Sequence, residues 1–341
     1  MFRPALCLLL VVLGCAPALS GEPRVWTAEV MTTRIEVQFV GPTGTAADAE
    51  AVFGIFRDVD ALASEWKDTS PLAALNGAAG GAPQVLPDEL FALLQRSVSI
   101  AEATGGAFDP TWAALWGLWD FKAASPRPPD DAERLRRVAL VDWHKLELDG
   151  EAKSARLAVK GMLVGLGGIG KGWALDRAVA MLRSRGVTDF VLSAGGQVYT
   201  SGNAASGRPW NVGIRDPRGE WNDWFALISV SGASVSTSGD YERWFEHDGV
   251  RYHHILDPRD GLPGRGFRSV TVVSPDATEA DALSTALMLV SLQDGLRIAK
   301  EQDVQAVWVD AAGLVHKTEG LQGRFVERHP PLEPAPPPAA P

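Results

Sequence analysis

Gly165-Leu-Gly167-Gly168-Ile-Gly170-Lys171-Gly172-Trp-Ala-Leu-Asp176 lies in the middle of a chain of 341 residues, and its reading decides the fold. The first six residues satisfy the GxGxxG spacing that sets a pyrophosphate on a helix start. Residues 171–185 continue at a helical period to Gly186, placed as a C-terminal cap. A dinucleotide-binding fold also needs an acid about 20 residues on to hold the ribose. Here that place reads Ser193-Ala194-Gly195, after the buried run 190–192, with no carboxylate. A P-loop fails too, because Gly172 stands where a Ser or Thr hydroxyl must hold Mg²⁺. What survives is a glycine-rich turn at a helix start with Lys171 beside it. Such a turn suits a phosphate or, more plainly, the tight packing of a helix on a strand.

Outward from this turn the pattern alternates between strand and helix periods. Residues 25–40 read as a strand, with Ile35, Val37 and Phe39 alternating with polar neighbours. Residues 48–66 and 87–103 read as helices, and 122–131 (KAASPRPPDD) as a loop or linker. Asp248-Gly249 between the β-rich runs 241–246 and 250–256 predicts a hairpin. Asp276 followed by Glu279 opens a helix through Val290 in the manner of a capping box. A helix over 294–301 and a strand over 304–309 follow, and residues 329–341 (HPPLEPAPPPAAP) read as a disordered tail.

Composition bounds the function. Hydrophobic residues make up 46% and charged residues 22%, enough apolar content for a real core and against disorder or a fibrous repeat. A formal charge of −10 argues against nucleic acid or an anionic membrane surface as partner. An anionic ligand would then need local help from a cation or a helix start. Residues 1–20 read as an export leader, with Arg3 ahead of an apolar run too short for the ~20 residues that span a bilayer. Two cleavage sites are open: Val12-Leu13-Gly14-Cys15 resembles a lipobox that would lipidate Cys15, and Ala16-Pro17-Ala18 is a plain small-x-small site. Both cysteines, Cys7 and Cys15, fall in this leader, so the mature body has no thiol chemistry.

Asp281 and Thr285 are four apart on one helix, so their oxygens share a face and suit a hard cation such as Mg²⁺. An exposed Asp near an unrelated Thr is the plainer alternative. None of the six histidines has zinc spacing. His253 and His254 are adjacent on a strand, so only one of them can face a site. Trp112, Trp116 and Trp119 form a stripe at helical spacing that reads as core.

Taken in order, the motifs resemble the ApbE family of FAD:protein FMN transferases, flavin-trafficking proteins of the bacterial periplasm. The resemblance runs through TGGAFDPT (104–111), GLGGIGKGWALD (165–176), SAGGQVYTSG (193–202) and WNVGIRDP (210–217). It continues through STSGDYERWF (236–245), HHILDPRDGLP (253–263) and EADALSTAL (279–287). It implies an α+β fold over residues 21–328, with mixed β-sheets flanked by helices in two interleaved lobes and the flavin in the cleft between them. It implies Mg²⁺ on Asp281, Thr285 and a main-chain oxygen of Gly168. Flavin contacts would come from Met31, Trp66, Asp109, Thr111, Lys171, Asp176, the Gly195-Gly196 turn, Thr237, Ser238, Gly239, Asp240 and Ile255. His254 matches the catalytic histidine. Three positions depart from the family pattern: Gly165 and Gln197 replace acids, and Asp260 replaces a threonine.

The implied reaction moves FMN from FAD onto a Thr or Ser hydroxyl of a periplasmic acceptor protein and releases AMP. A His254 base of near-neutral pKa and a cation on Asp281 and Thr285 would serve it. Hydrolysis of FAD to FMN and AMP, and carriage of FAD without turnover, are the alternatives. The leader implies a periplasmic protein, anchored by lipid if Cys15 is modified.

Overall fold

The computed structural model describes residues 22–333, so the leader with Cys15 and residues 334–341 lie outside the described residues. The stretch 25–40 is two strands, not one. β1 (Arg24–Val30) and β2 (Thr33–Phe39) pair antiparallel around Met31 and Thr32, whose φ angles are 53° and 55°. A two-residue turn with both φ positive matches strand twist but is usually built from Asn and Gly. The period-2 pattern runs straight through such a turn, which is why no break shows in the sequence.

The capping box of Thr45 and Asp48 opens α1 (Ala46–Ala63), which α2 (Pro71–Gly77) and α3 (Asp88–Ala103) follow. α1 ends before Trp66, leaving that residue in a link. α4 (Asp131–Val138) follows the proline-rich loop, and α5 (Gly170–Ser184) closes at Gly186, where φ is +75°. α6 (Ala277–Ala286) is shorter than expected, and α7 is Leu292–Glu301. No helix among the described residues is long and apolar enough to cross a membrane.

β3 (Gln84–Val85), β4 (Leu146–Asp149) and β5 (Ser154–Leu157) form a small sheet ahead of the glycine turn. The remaining strands are β6 (Phe190–Ala194), β7 (Gln197–Ser201), β8 (Trp210–Arg215), β9 (Trp224–Val230) and β10 (Ala233–Gly239). After them come β11 (Trp244–His247), β12 (Val250–His253), β13 (Phe267–Ser274), β14 (Gln305–Asp310), β15 (Val315–Lys317) and β16 (Phe325–Glu327). The central sheet runs β1-β2-β6-β7-β10-β13-β14-β15 and is antiparallel throughout. Consecutive residues of β13 and β14 face opposite layers, as the pleat demands. Val270, Val272 and Trp308 pack into the layer that holds Phe56, Leu175 and Leu283 of the helices. Val273, Val307 and Val309 meet Ile214, Phe225 and Ile228 of the sheet β8-β9-β16. Each such buried side chain contributes roughly 1.5–3 kcal/mol. The α+β class therefore holds, in three layers.

The expected tail begins with anchored residues. Leu332 N–H donates to Asp216 Oδ2 (2.9 Å), and Arg268 Nη1 donates to Leu332 O (3.0 Å). The folded body thus extends past Arg328, because buried Asp216 and Arg268 both need the main chain of Leu332 as a partner.

Candidate active site

The glycine turn feeds α5 directly beneath α6. A Cβ on Gly172 would lie 2.2 Å from Ala277 O, so the two helices approach through bare backbone. This contact is what excludes the P-loop hydroxyl. Gly172 N–H donates to Asp281 Oδ2 (3.1 Å), and Lys171 Nζ stands 3.7 Å from the same oxygen while donating to Gly167 O (3.1 Å). One turn along α6, Thr285 Oγ1 is 3.3 Å from Ser238 Oγ and 3.7 Å from where a Gly168 Cβ would sit. The pair Asp281 and Thr285 on α6 is therefore a neighbour of Gly168 and Lys171, which lie far earlier in the sequence. Asp281 is only 5% exposed.

One carboxylate, one hydroxyl and a nearby main-chain carbonyl form an all-oxygen donor set that fits a hard divalent ion. Among the described residues no group of three or more His, Cys, Asp or Glu is placed to hold a metal. An ion on Asp281 would thus complete its shell with ligand oxygens or water, as Mg²⁺ does.

The hairpin β11–β12 turns at Asp248 and Gly249, both at positive φ, and delivers the two histidines. They part as alternation requires. His253 is buried: its Nε2–H donates to Gly264 O (2.6 Å), and its Nδ1 accepts from Ile255 N–H (3.3 Å). Both nitrogens are used, so this ring is a neutral strut. His254 is half-buried and its Nδ1 has no partner among the described residues. Burial pushes its pKa from 6.5 down to about 4, helped by the neighbouring His253 ring and by the positive charges of Arg243 and Lys171. The ring is thus a weaker base than the near-neutral one expected.

Other expected contacts have structural occupations of their own. Asp176 accepts from Ala277 N–H and Thr278 N–H (2.8 Å each) and from Thr278 Oγ1 (2.5 Å), tying α5 to the start of α6. Burial raises its carboxyl to about 6. Asp276 caps Glu279 N–H (2.8 Å), but Glu279 turns to Ser274 (2.8 Å), so the expected capping box is only half formed. Asp109 accepts from Thr111 N–H and Oγ1 (2.7 and 2.6 Å) and from Trp143 N–H (3.1 Å), and burial raises its pKa. Gly195 and Gly196 form the exposed β6–β7 turn at φ 54° and 92°. Thr237 pairs with Thr271 (2.9 Å) across β10–β13, and Gly239 leads into Asp240. Ile255 is buried beside His254. Met31 sits at the β1–β2 turn, its Cε 3.5 Å from a Cβ position on Gly170.

The departures have local causes. At Gly165 a Cβ would come within 2.9 Å of Ala113 Cβ and 3.1 Å of Trp112 Nε1, which donates to Gly165 O (3.0 Å). An acid there would displace that indole. Gln197 Nε2 donates to Ala277 O (2.7 Å) and Ser234 Oγ (3.0 Å), a task no carboxylate can perform. Asp260 Oδ1 accepts Leu262 N–H (2.8 Å) and closes its own turn.

The tryptophan stripe is not a helix. Only a 3₁₀ turn, Ala113–Leu115, lies there, and Trp119 alone is core. Trp116 stacks on Trp66 (4.3 Å between centroids, 19°), and Trp112 meets Trp116 edge-on (5.8 Å, 87°). Trp66 is 72% exposed and forms the outer face of this platform. Two further residues escaped sequence reasoning. Arg218 clamps Asp240 with two 2.7 Å bonds, signalled only by a cation in a polar loop. Glu65 brings Oε1 to 3.6 Å from a Cβ position on Gly167. Its place next to Trp66 was the sole clue.

The chain matches the ApbE family over residues 31–308. It is 37% identical over 305 residues to a FAD:protein FMN transferase of Treponema pallidum (strain Nichols), covering 82% of this chain and 83% of that protein. Its fold is similar to the crystal structure of an ApbE protein from Thermotoga maritima, with TM-score 0.82, 30% identity, and coverage of 90% of this chain and 100% of that one. It is also similar to the apo form of the Pseudomonas stutzeri flavinyl transferase ApbE, with TM-score 0.78, 27% identity, and coverage of 89% and 96%. The motifs, the three-layer fold and the match over most of the chain agree: this protein belongs to the ApbE family.

Proposed function

We propose that the chain transfers FMN from FAD to a Thr or Ser hydroxyl of a partner protein, with Mg²⁺ on Asp281, Thr285 and Gly168, and releases AMP. The observation that carries this reading is the buried Nδ1 of His254, without a hydrogen-bond partner among the described residues and within the field of the same Lys171 that borders Asp281. A hydroxyl is a poor nucleophile, and a base that takes its proton is typically worth ~10²–10⁴-fold. His254 accepts that proton as the acceptor oxygen bonds to the FMN phosphorus and the bond to the AMP oxygen breaks. The positive charge of Lys171 at the glycine turn makes the site less hostile to the charge left on the pyrophosphate oxygens. Bound on Asp281 and Thr285, Mg²⁺ supplies further neutralisation of that charge. Trp66 and Trp116 offer the isoalloxazine an aromatic face. Residues 1–20 support a periplasmic acceptor and a protein anchored there through Cys15.

The test mixes protein, FAD, Mg²⁺ and a periplasmic acceptor domain, followed by a denaturing gel. Flavin fluorescence travelling with the acceptor supports transfer. Free FMN and AMP without labelled acceptor would assign hydrolysis instead, and unchanged FAD bound to the protein would assign carriage.

A further inference from the structure

Lys171 holds the position a cation would need. Its Nζ is 3.7 Å from Asp281 Oδ2 in a site where Asp281 is almost fully buried, so one positive charge already balances that carboxylate. A divalent ion arriving on Asp281 meets this ammonium at close range, and like charges several ångströms apart repel strongly in a part-buried site. The ammonium must move, and it needs a second anion within reach.

Glu65 provides one. It projects from the link between α1 and α2 onto the glycine turn, with Oε1 3.6 Å from the Cβ position of Gly167. Gly167 O is also the carbonyl to which Lys171 Nζ donates (3.1 Å). The ammonium of Lys171 is therefore held at Gly167, the residue whose Cβ position Glu65 approaches, and its charge already acts on the Glu65 carboxyl. Among the described residues Glu65 forms no ion pair, although it is half-buried. Burial raises its pKa, against the opposing pull of main-chain N–H groups at Glu65 and Leu166 and of Lys171. A half-buried carboxylate without a cation is costly unless another state of the site supplies one.

We propose that Lys171 is a displaceable placeholder for the divalent ion and that Glu65 is the positioning residue that receives its ammonium when the ion binds Asp281. This rests on the metal reading above. The exchange explains how the chain works with glycine at 165: a carboxylate reaches the same turn from a different element, and it acts on Lys171 rather than on the ion.

The test titrates Mn²⁺ into FAD-free protein, with free Mn²⁺ read by electron paramagnetic resonance. Lys171→Met is expected to bind Mn²⁺ about five- to tenfold more tightly than the wild type, because the competing charge is gone. Glu65→Gln is expected to bind it about five- to tenfold more weakly, with Glu65→Asp partly restoring affinity. In the Lys171→Met background, Glu65→Gln should change nothing. An equal loss in both backgrounds would make Glu65 a direct ligand and overturn the proposal, as would unchanged or weaker binding by Lys171→Met. If Glu65→Gln does not fold, the Lys171→Met result alone decides. Wild-type protein that binds no Mn²⁺ would refute the metal reading itself, whereas binding indifferent to both substitutions would refute only the exchange.

Discussion

Gly172 and Ala277 touch through backbone: a methyl group on the glycine would lie 2.2 Å from the alanine carbonyl oxygen, and 2.7 Å from Thr278 Cα. Neither obstacle is a flexible side chain, so α5 and α6 would have to separate. Gly172→Ala should cost about 1–3 kcal/mol in urea unfolding, as overpacking does. It should also lengthen the Gly172–Asp281 hydrogen bond and weaken divalent-ion binding. Native stability together with native metal affinity in this variant would show the contact to be slack.

Asp176 secures the same junction from the other side. Asp176→Ala strips the acceptor from two backbone N–H groups and one hydroxyl at the start of α6. Each buried donor left unsatisfied costs about 1–3 kcal/mol, so a large drop in thermal midpoint is expected. The carboxyl is raised from 3.8 to about 6, so the folded state holds its proton more tightly than the unfolded chain. That contribution is complete below 3.8 and lost as pH rises through 6. Calorimetry across this window should show the slope in wild type and not in the variant.

His254 has the opposite sign. Its pKa is depressed from 6.5 to about 4, so its contribution to stability is present above 6.5 and lost as pH falls through 4. As the proposed base it is neutral at pH 7, and kcat/KM should be level near neutrality and fall only as pH approaches about 4. The anionic pyrophosphate favours the imidazolium, so the corresponding limb of kcat should lie at higher pH. Coincident limbs would argue that the ring does not meet the phosphates. His254→Ala should keep FAD bound while transfer falls ~10²–10⁴-fold.

Trp66 contributes little to the core at 72% exposure, yet it is stacked at 4.3 Å on Trp116. Trp66→Ala should leave the urea midpoint almost unchanged and weaken FAD binding by about 0.5–1.5 kcal/mol, the worth of one aromatic pair. Fluorescence titration with FAD measures this directly. Equal affinity in the variant would remove the platform from the flavin site.

The residues that motif spacing could reveal were those whose role depends on local geometry. Gly186 at positive φ, Asp248-Gly249 in the hairpin turn and the i,i+4 pair Asp281 and Thr285 are all legible within one helical turn or one hairpin. Met31-Thr32 was illegible because a turn of this kind normally carries Asn or Gly, and here packing of the flanking strands imposes it on other residues. The tryptophan stripe misled because spacing of three and four residues also arises by chance around a 3₁₀ turn. Glu65 and Arg218 are barely marked in the sequence for a different reason. Their partners lie about 100 and 22 positions away, and only tertiary folding brings a carboxylate to Gly167 or a guanidinium to Asp240.

The central claim is that a cation on Asp281 and Thr285 supports the split of FAD and the attachment of its FMN half to protein. The most direct measurement counts AMP released and FMN bound to acceptor in the same reaction, for wild type and Asp281→Ala, with Mg²⁺ and with chelator. One AMP per labelled acceptor in wild type with Mg²⁺, and neither product with chelator or in the variant, is the expected result. Full labelling by Asp281→Ala, or labelling indifferent to chelation, would contradict it.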